Sequence, residues 1–277
     1  MLERHKERQR KNRLNPLDTA IRSRDTDVLA MVDRALRHKE VMLAYQPVVV
    51  TTDTKRVAFY EGLIRVLDET GRVIPARDFM PTVEKTEMGQ TIDRIALEFG
   101  LRELSRHPAL RLAINLTAKS LHDPKWQRVL RHGLSRDDTI GERLILEITE
   151  HSVMEKPDQV LDIMDEIQLR GVSFALDDFG AGQTAIRYFK DFAFDILKID
   201  GSLIRGIDRS PDNQAIVGAL LSIGRHFDMF TIAEHVETQA QADCLASLGV
   251  DCLQGYFFGA PSIRPHWHES RTRKRSA

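Results

Sequence analysis

The chain has 277 residues, 42% hydrophobic and 29% charged, an ordinary globular composition with enough apolar mass for one large core. Lys and Arg number 40 against 41 Asp and Glu, a formal charge of -1, so no global field draws the chain to DNA, RNA or a membrane. Any polyanion must be met by a local site.

Cys244 and Cys252 make neither a disulfide framework nor a zinc spacing and read as incidental thiols. No run approaches the roughly 18 apolar residues of a membrane helix. The basic N-terminus MLERHKERQRKNR lacks the apolar core of a secretory signal, so a cytoplasmic protein is expected. Arg4, Lys6, Arg8, Arg10, Lys11 and Arg13 form a charge run that Arg271, Arg273, Lys274 and Arg275 repeat at the other end. Residues 1–25 and 264–277 read as solvated basic tails around a folded domain at 26–263.

From Thr26 the pattern turns regular. Thr26 is placed to cap a helix with the apolar stripe Val28, Leu29, Val32 and Leu36, and Val41 to Val50 reads as a β-branched strand. A turn at Thr52, Asp53 and Thr54 leads into a second strand, about Val57 to Val66, antiparallel to the first because the connection is short. Beyond Phe79, helical segments precede apolar runs at Leu112 to Leu116, Leu144 to Ile148, Val172 to Leu176, Ile196 to Ile199, Phe230 to Ala233 and Val250 to Leu253. The helix at Pro157 to Arg170 has Val160, Ile163, Met164 and Ile167 on one face and Gly171 past its end. Ser210 with Pro211 opens another helix, and Thr238 and Gly249 bracket a third. Eight strands in this alternation predict an α/β fold, a (β/α)8 barrel, with a doubly wound open sheet as the competing architecture.

Each apolar strand stops on a polar residue: Asn115, Glu147, the pair Asp177 and Asp178, Lys198, Glu234 and Gln254. Strand alternation puts Phe59, Glu61, Leu63 and Arg65 on one face. In a barrel such strand ends converge on one mouth. Several carboxylates aimed at one cavity repel unless a cation compensates them or their pKa values rise. All the candidate donors are hard oxygens, which favours Mg²⁺ or Mn²⁺, and adjacent Asp177 and Asp178 suit two ions. With Lys198 and Arg65 supplying positive charge, the set describes phosphodiester hydrolysis. Another metal-dependent lyase or hydrolase would use similar groups. His266 and His268 lack a third ligand nearby and read as part of a solvated tail.

At these residues the chain resembles the EAL-domain cyclic di-GMP phosphodiesterases, from about Val41 to Pro261. The matching strings are YQP at Tyr45 to Pro47, EGLIR at Glu61 to Arg65, FMPTVEKT at Phe79 to Thr86, NLT at Asn115 to Thr117 and EITE at Glu147 to Glu150. DDFGAG at Asp177 to Gly182, DILKID at Asp195 to Asp200, AEHVET at Ala233 to Thr238 and QGYFFGAP at Gln254 to Pro261 complete the series.

The resemblance implies a modified TIM barrel with an antiparallel first strand, cutting cyclic di-GMP to linear pGpG and lowering the level of this second messenger. Glu61, Asn115, Glu147 and Asp177 would hold one metal ion, and Asp177, Asp178 and Glu234 a second. Lys198 would orient the attacking water with Glu234 assisting, while Glu237 and Gln254 complete the pocket. Arg65 would contact a substrate phosphate, Gln46 a guanine, and Glu150 would brace the loop after Asp178. A homodimer and an unidentified regulatory protein are the implied partners. The alternative function is a catalytically weak or inactive receptor for the nucleotide, or a protein-interaction module.

Departures from the family pattern fall at Gly62, where Ala or Val is usual, at Ala181 and Gln183 in the loop, and at His235 beside Glu234, where the family has Gly. A histidine there is strained if the position needs a positive φ.

Overall fold

The computed structural model describes residues 16–155, 157–181 and 190–267. The two basic charge runs, Gly182, Gln183 and His268 lie outside the described residues. Two compact units are present, one of residues up to Val41 with Arg65–Gly89, the other of Met42–Ile64 with the chain from Gln90 onward.

In the smaller unit, helix α1 (Pro16–His38) begins ten residues ahead of Thr26, which lies inside it rather than capping it. Its Arg34 pairs with Glu40 at 2.8 Å and donates to the Leu67 carbonyl at 3.1 Å. Strand β3 (Val73–Pro75), too short to show in the sequence, pairs antiparallel with Arg65–Leu67. The turn before it is held by Asp68 Oδ1, which accepts from the amides of Thr70 and Arg72 and from the Thr70 hydroxyl.

The larger unit is a closed eight-stranded mixed barrel, so the open-sheet alternative falls. Strand β1 (Val41–Val50) takes the predicted bounds, while β2 (Asp53–Leu67) starts earlier than read. The six that follow are β4 (Leu112–Asn115), β5 (Leu144–Thr149), β6 (Ser173–Phe179), β7 (Ile196–Ile199), β8 (Phe230–Ala233) and β9 (Cys252–Gln254). Neighbours from β2 through β9 pair in parallel, and β1 closes the ring antiparallel to β9.

Strand alternation builds the interior in layers. Val48, Phe59, Ala113, Ile145, Ala175, Ile196 and Ile232 form one buried apolar cluster, with Cys252 packed against it. Each large aliphatic or aromatic member contributes about 1.5–3 kcal/mol by leaving water.

Helices α2 (Glu87–Arg106), α3 (Pro124–Leu134), α4 (Glu150–Glu155), α5 (Pro157–Gln168), α6 (Gly201–Ile204), α7 (Pro211–His226) and α8 (Gln239–Leu248) connect the strands. Their ends follow local chemistry. Asp123 caps α3 ahead of Pro124, Ser210 caps α7 ahead of Pro211, and Thr238 with Gln241 forms a capping box on α8. Gly249 ends α8 at φ 87°, where a side chain would be strained.

From Ser262 to Trp267 the chain packs against the barrel. Ser262 pairs with Tyr45, Trp267 packs edge-on against Tyr45 and Tyr60, and the Tyr60 hydroxyl lies 3.4 Å from His266 Nδ1. His266 remains exposed, as expected, but it rests against Tyr60 and Trp267. Among the described residues no helix is long and apolar enough to cross a membrane.

Candidate metal centre

Two residues beyond the apolar cluster, each parallel strand places its next inward side chain: Glu61, Asn115, Glu147, Asp177, Lys198, Glu234 and Gln254. On antiparallel β1 the same step runs backward, from Val48 to Gln46. One polar layer therefore sits on one apolar layer.

Lys198 is its electrostatic centre, 1% exposed. Its Nζ lies 2.9 Å from Asp177 and Glu234, 3.1 Å from Glu147 and 3.8 Å from Glu61, carboxylates from three strands and, for Glu234, from the residue just past β8. Burial opposes its charge, but these acids outweigh burial and hold the ammonium well above its ordinary range. For Glu61, burial pushes the pKa up, yet Lys198 and hydrogen bonds from Gln254 and Asn115 leave it below the usual value. Burial, with repulsion from the other acids, keeps Glu147 and Glu234 well above theirs despite Lys198.

Amides complete the layer. Asn115 Nδ2 donates to Glu61 Oε1 at 2.6 Å, leaving its own carbonyl oxygen available as a ligand. Gln254 Nε2 donates to Glu61 Oε2 at 2.5 Å and to Gln46 Oε1 at 3.3 Å, while Gln46 Nε2 donates to the Gly259 carbonyl.

Asp177 and Asp178 lie within β6, not beyond its end, because the strand continues to Phe179. On a regular strand, adjacent carboxylates would face opposite sides. Here Leu176 and Phe179 of β6 match Leu197 and Ile199 of β7, so β6 carries an extra residue in a bulge, and Asp178 turns to φ 56°. An aspartate tolerates that backbone better than most residues. The result brings carboxylate oxygens of Asp177, Asp178 and Glu234 within 4.8 Å of one another. Desolvation and the Asp177 charge beside it push Asp178 up to about 6.

The donor set fits a hard divalent cation. Every candidate ligand is an oxygen, the acids outnumber the one ammonium, and Glu147 Oε1 and Gln254 Oε1 are buried acceptors with no hydrogen bond.

Other expected residues fall elsewhere. Glu237 is exposed on the loop before α8, its amide donating to Gln241. Arg65 is buried on β2 in the smaller unit, opposite Pro75. Glu150 is buried at the start of α4, and much of the loop it was expected to brace, residues 182–189, is outside the described residues.

Sequence reasoning missed Asp93. Buried on α2, it accepts from the Thr117 amide and hydroxyl and from the Ser120 hydroxyl, fixing the turn after Asn115. An acid among apolar helix positions, Ile92 and Ala96, was the available signal.

The EAL domain family model matches residues 29–261. MucR of Pseudomonas aeruginosa, named a bifunctional diguanylate cyclase/cyclic di-GMP phosphodiesterase, is 31% identical over 233 residues, 82% of this chain and 34% of that protein. The chain thus spans about a third of the curated relatives it matches. A solved PaMucR phosphodiesterase in complex with c-di-GMP superposes with TM-score 0.77 at 30% identity, covering 85% of this chain and 97% of that one. The FimX EAL domain of Pseudomonas aeruginosa bound to c-di-GMP gives 0.77 at 25% identity, covering 86% and 97%. A family-model match over most of the chain, together with the closed mixed barrel, makes this chain a member of the EAL domain family.

Proposed function

We propose that this chain hydrolyses one phosphodiester bond of cyclic di-GMP to linear pGpG, with two Mg²⁺ or Mn²⁺ ions held in the barrel mouth. The observation that carries the proposal is the single polar layer in which Glu61, Glu147, Asp177 and Glu234 surround Lys198. Relatives named as cyclic di-GMP phosphodiesterases and neighbours solved with c-di-GMP support the substrate.

Glu61, Asn115, Glu147 and Asp177 would hold one cation, and Asp177, Asp178 and Glu234 the other. When bound, the cations acidify water and neutralise charge on the phosphoryl group. Lys198 Nζ carries three N–H donors and orients the attacking water, whose proton passes to Glu234. The water oxygen bonds to phosphorus in line as the bond to the 3′ oxygen breaks; that oxygen takes a proton from solvent, and Glu234 returns the one it accepted to solvent. Gln254 and Asn115 hold Glu61 in place through their amides. The roles of Gln46, Arg65 and Glu237 toward substrate, and of Glu150 in a dimer-coupled loop, rest on the resemblance alone.

A receptor reading has one observation in its favour: His235, next to Glu234, takes φ 56°. Incubation with cyclic di-GMP and Mn²⁺, with and without EDTA, followed by chromatography for pGpG, decides between them. The expected result is pGpG that disappears with EDTA. Binding without turnover selects the receptor, and neither binding nor turnover contradicts both.

A further inference from the structure

His235 is exposed at the rim of the barrel, immediately after Glu234 and in the left-handed region at φ 56°. That backbone costs a non-glycine residue about 1–3 kcal/mol and persists only where its surroundings enforce it. Three contacts enforce it here. The Glu234 amide donates to the Ile199 carbonyl at 3.2 Å, tying the near side to the end of β7. On the far side, the Val236 amide donates to the Gln254 carbonyl at 2.9 Å, at the end of β9. Gly255 then presses on Val236 so closely that a methyl there would stand 2.0 Å from the Val236 carbonyl oxygen.

The His235 side chain itself is seated on Gly201, the first residue of α6. A methyl on Gly201 would lie 2.5 Å from Nδ1, 2.6 Å from Cγ and 2.7 Å from Cβ of His235. Cβ and Cγ are the root of the side chain, so no rotation of the ring relieves such a clash. The backbone at 235 would have to move. Val236 is held through both its amide, at 2.9 Å, and its carbonyl, at 3.1 Å from the Phe257 amide, and is pressed by Gly255, whereas the Glu234 amide bond is longer at 3.2 Å, so the displacement passes to Glu234.

We propose that Gly201 and His235 form a steric interlock that sets the position of the Glu234 carboxylate, making Gly201 a positioning residue acting through the His235 ring. This rests on the reading of Glu234 as a cation-holding group. The absence of a side chain at Gly201 is what admits a histidine beside the site, and the pair fixes the spacing between the ends of β7 and β8.

The test is a double-mutant cycle on the whole chain, reading Mn²⁺ affinity by titration calorimetry, melting temperature, and kcat and KM for cyclic di-GMP. Gly201→Ala is expected to weaken Mn²⁺ binding at least about tenfold, as loss of an orienting contact around a metal does. It should lower kcat with KM little changed, and lower the melting temperature. Introduced into the His235→Gly background, which removes all three clashing atoms and accepts the positive φ, the same change should have little effect on any of these readouts. If Gly201→Ala binds Mn²⁺ and melts as the wild type does, or costs as much in the His235→Gly background, the interlock is wrong. A wild-type protein that neither binds Mn²⁺ nor turns over would sink the functional reading alone, and coupling in the melting temperatures would still decide the interlock.

Discussion

Lys198 Nζ lies 2.9 Å from Glu234 Oε1, just past the end of the neighbouring strand β8, and 2.9 Å from Asp177 Oδ1 on the neighbouring strand β6. One ammonium therefore bridges acids that would otherwise repel across the barrel mouth. Four carboxyl groups share this single ammonium, which is the electrostatic reason the layer suits a divalent cation.

Replacing Lys198 with Met should destabilise the metal-free protein by about 3–5 kcal/mol, because it leaves buried carboxylates without their counter-charge. Urea unfolding in EDTA measures this. Mn²⁺ should shrink the deficit by supplying the missing charge. Lowering pH should shrink it too, because Glu147 and Glu234, already held above their usual range by burial, take up protons in preference to remaining ionised. An equal deficit under all three conditions would show that Lys198 acts through packing.

Glu61→Ala and Asp177→Ala should each reduce pGpG formation in Mg²⁺ by more than about 100-fold, beyond the 10- to 100-fold typical of residues that only orient a ligand. Near-wild-type turnover in either variant would remove that residue from the site.

Gly62 is a packing choice. A methyl there would stand 2.8 Å from Ile114 Cδ1, and one on Gly100 of α2 would meet the same side chain at 2.9 Å, so Ile114 fills the space over both glycines. Gly62→Ala should cost about 1–3 kcal/mol by overpacking. Adding Ile114→Val should recover most of it. Thermal melts of the two variants test the pair, and additive losses would contradict it.

Asp68 gives the β2–β3 turn a pH dependence. The hydrogen bonds it accepts from Thr70 and Arg72 hold its carboxyl below the usual 3.8, so the charged form favours the folded turn. Its contribution is present above the unfolded pKa and lost as pH falls through the lower folded one. Asp68→Ala should lower the melting temperature at neutral pH and matter less under strongly acid conditions; the opposite trend would contradict the sign.

Much of this was legible in the letters. Each short apolar run is broken by a polar residue within it or at its edge, so Asn115, Glu147, Lys198 and Glu234 could be found before their convergence was seen, although Glu147 and Lys198 lie inside their strands and Glu234 just past its own. The Asp pair reads as the stop of an apolar strand, whereas the strand runs on to Phe179 through a bulge that leaves no compositional mark. The start of α1 was lost because Thr26 is as good a cap as any, while Pro16 opens the helix among charged residues. Asp93 leaves only the signal of an acid among apolar helix positions, and Gly201 leaves none, because each acts on a residue distant in the chain, Thr117 and His235, and only folding brings them together.

The most direct test of the account is anomalous diffraction from crystals soaked in Mn²⁺. Two peaks are expected in the barrel mouth, one among Glu61, Asn115, Glu147 and Asp177 and one among Asp177, Asp178 and Glu234, with Lys198 displaced from its central position. No peak at these carboxylates in a crystal that binds Mn²⁺ elsewhere would contradict it.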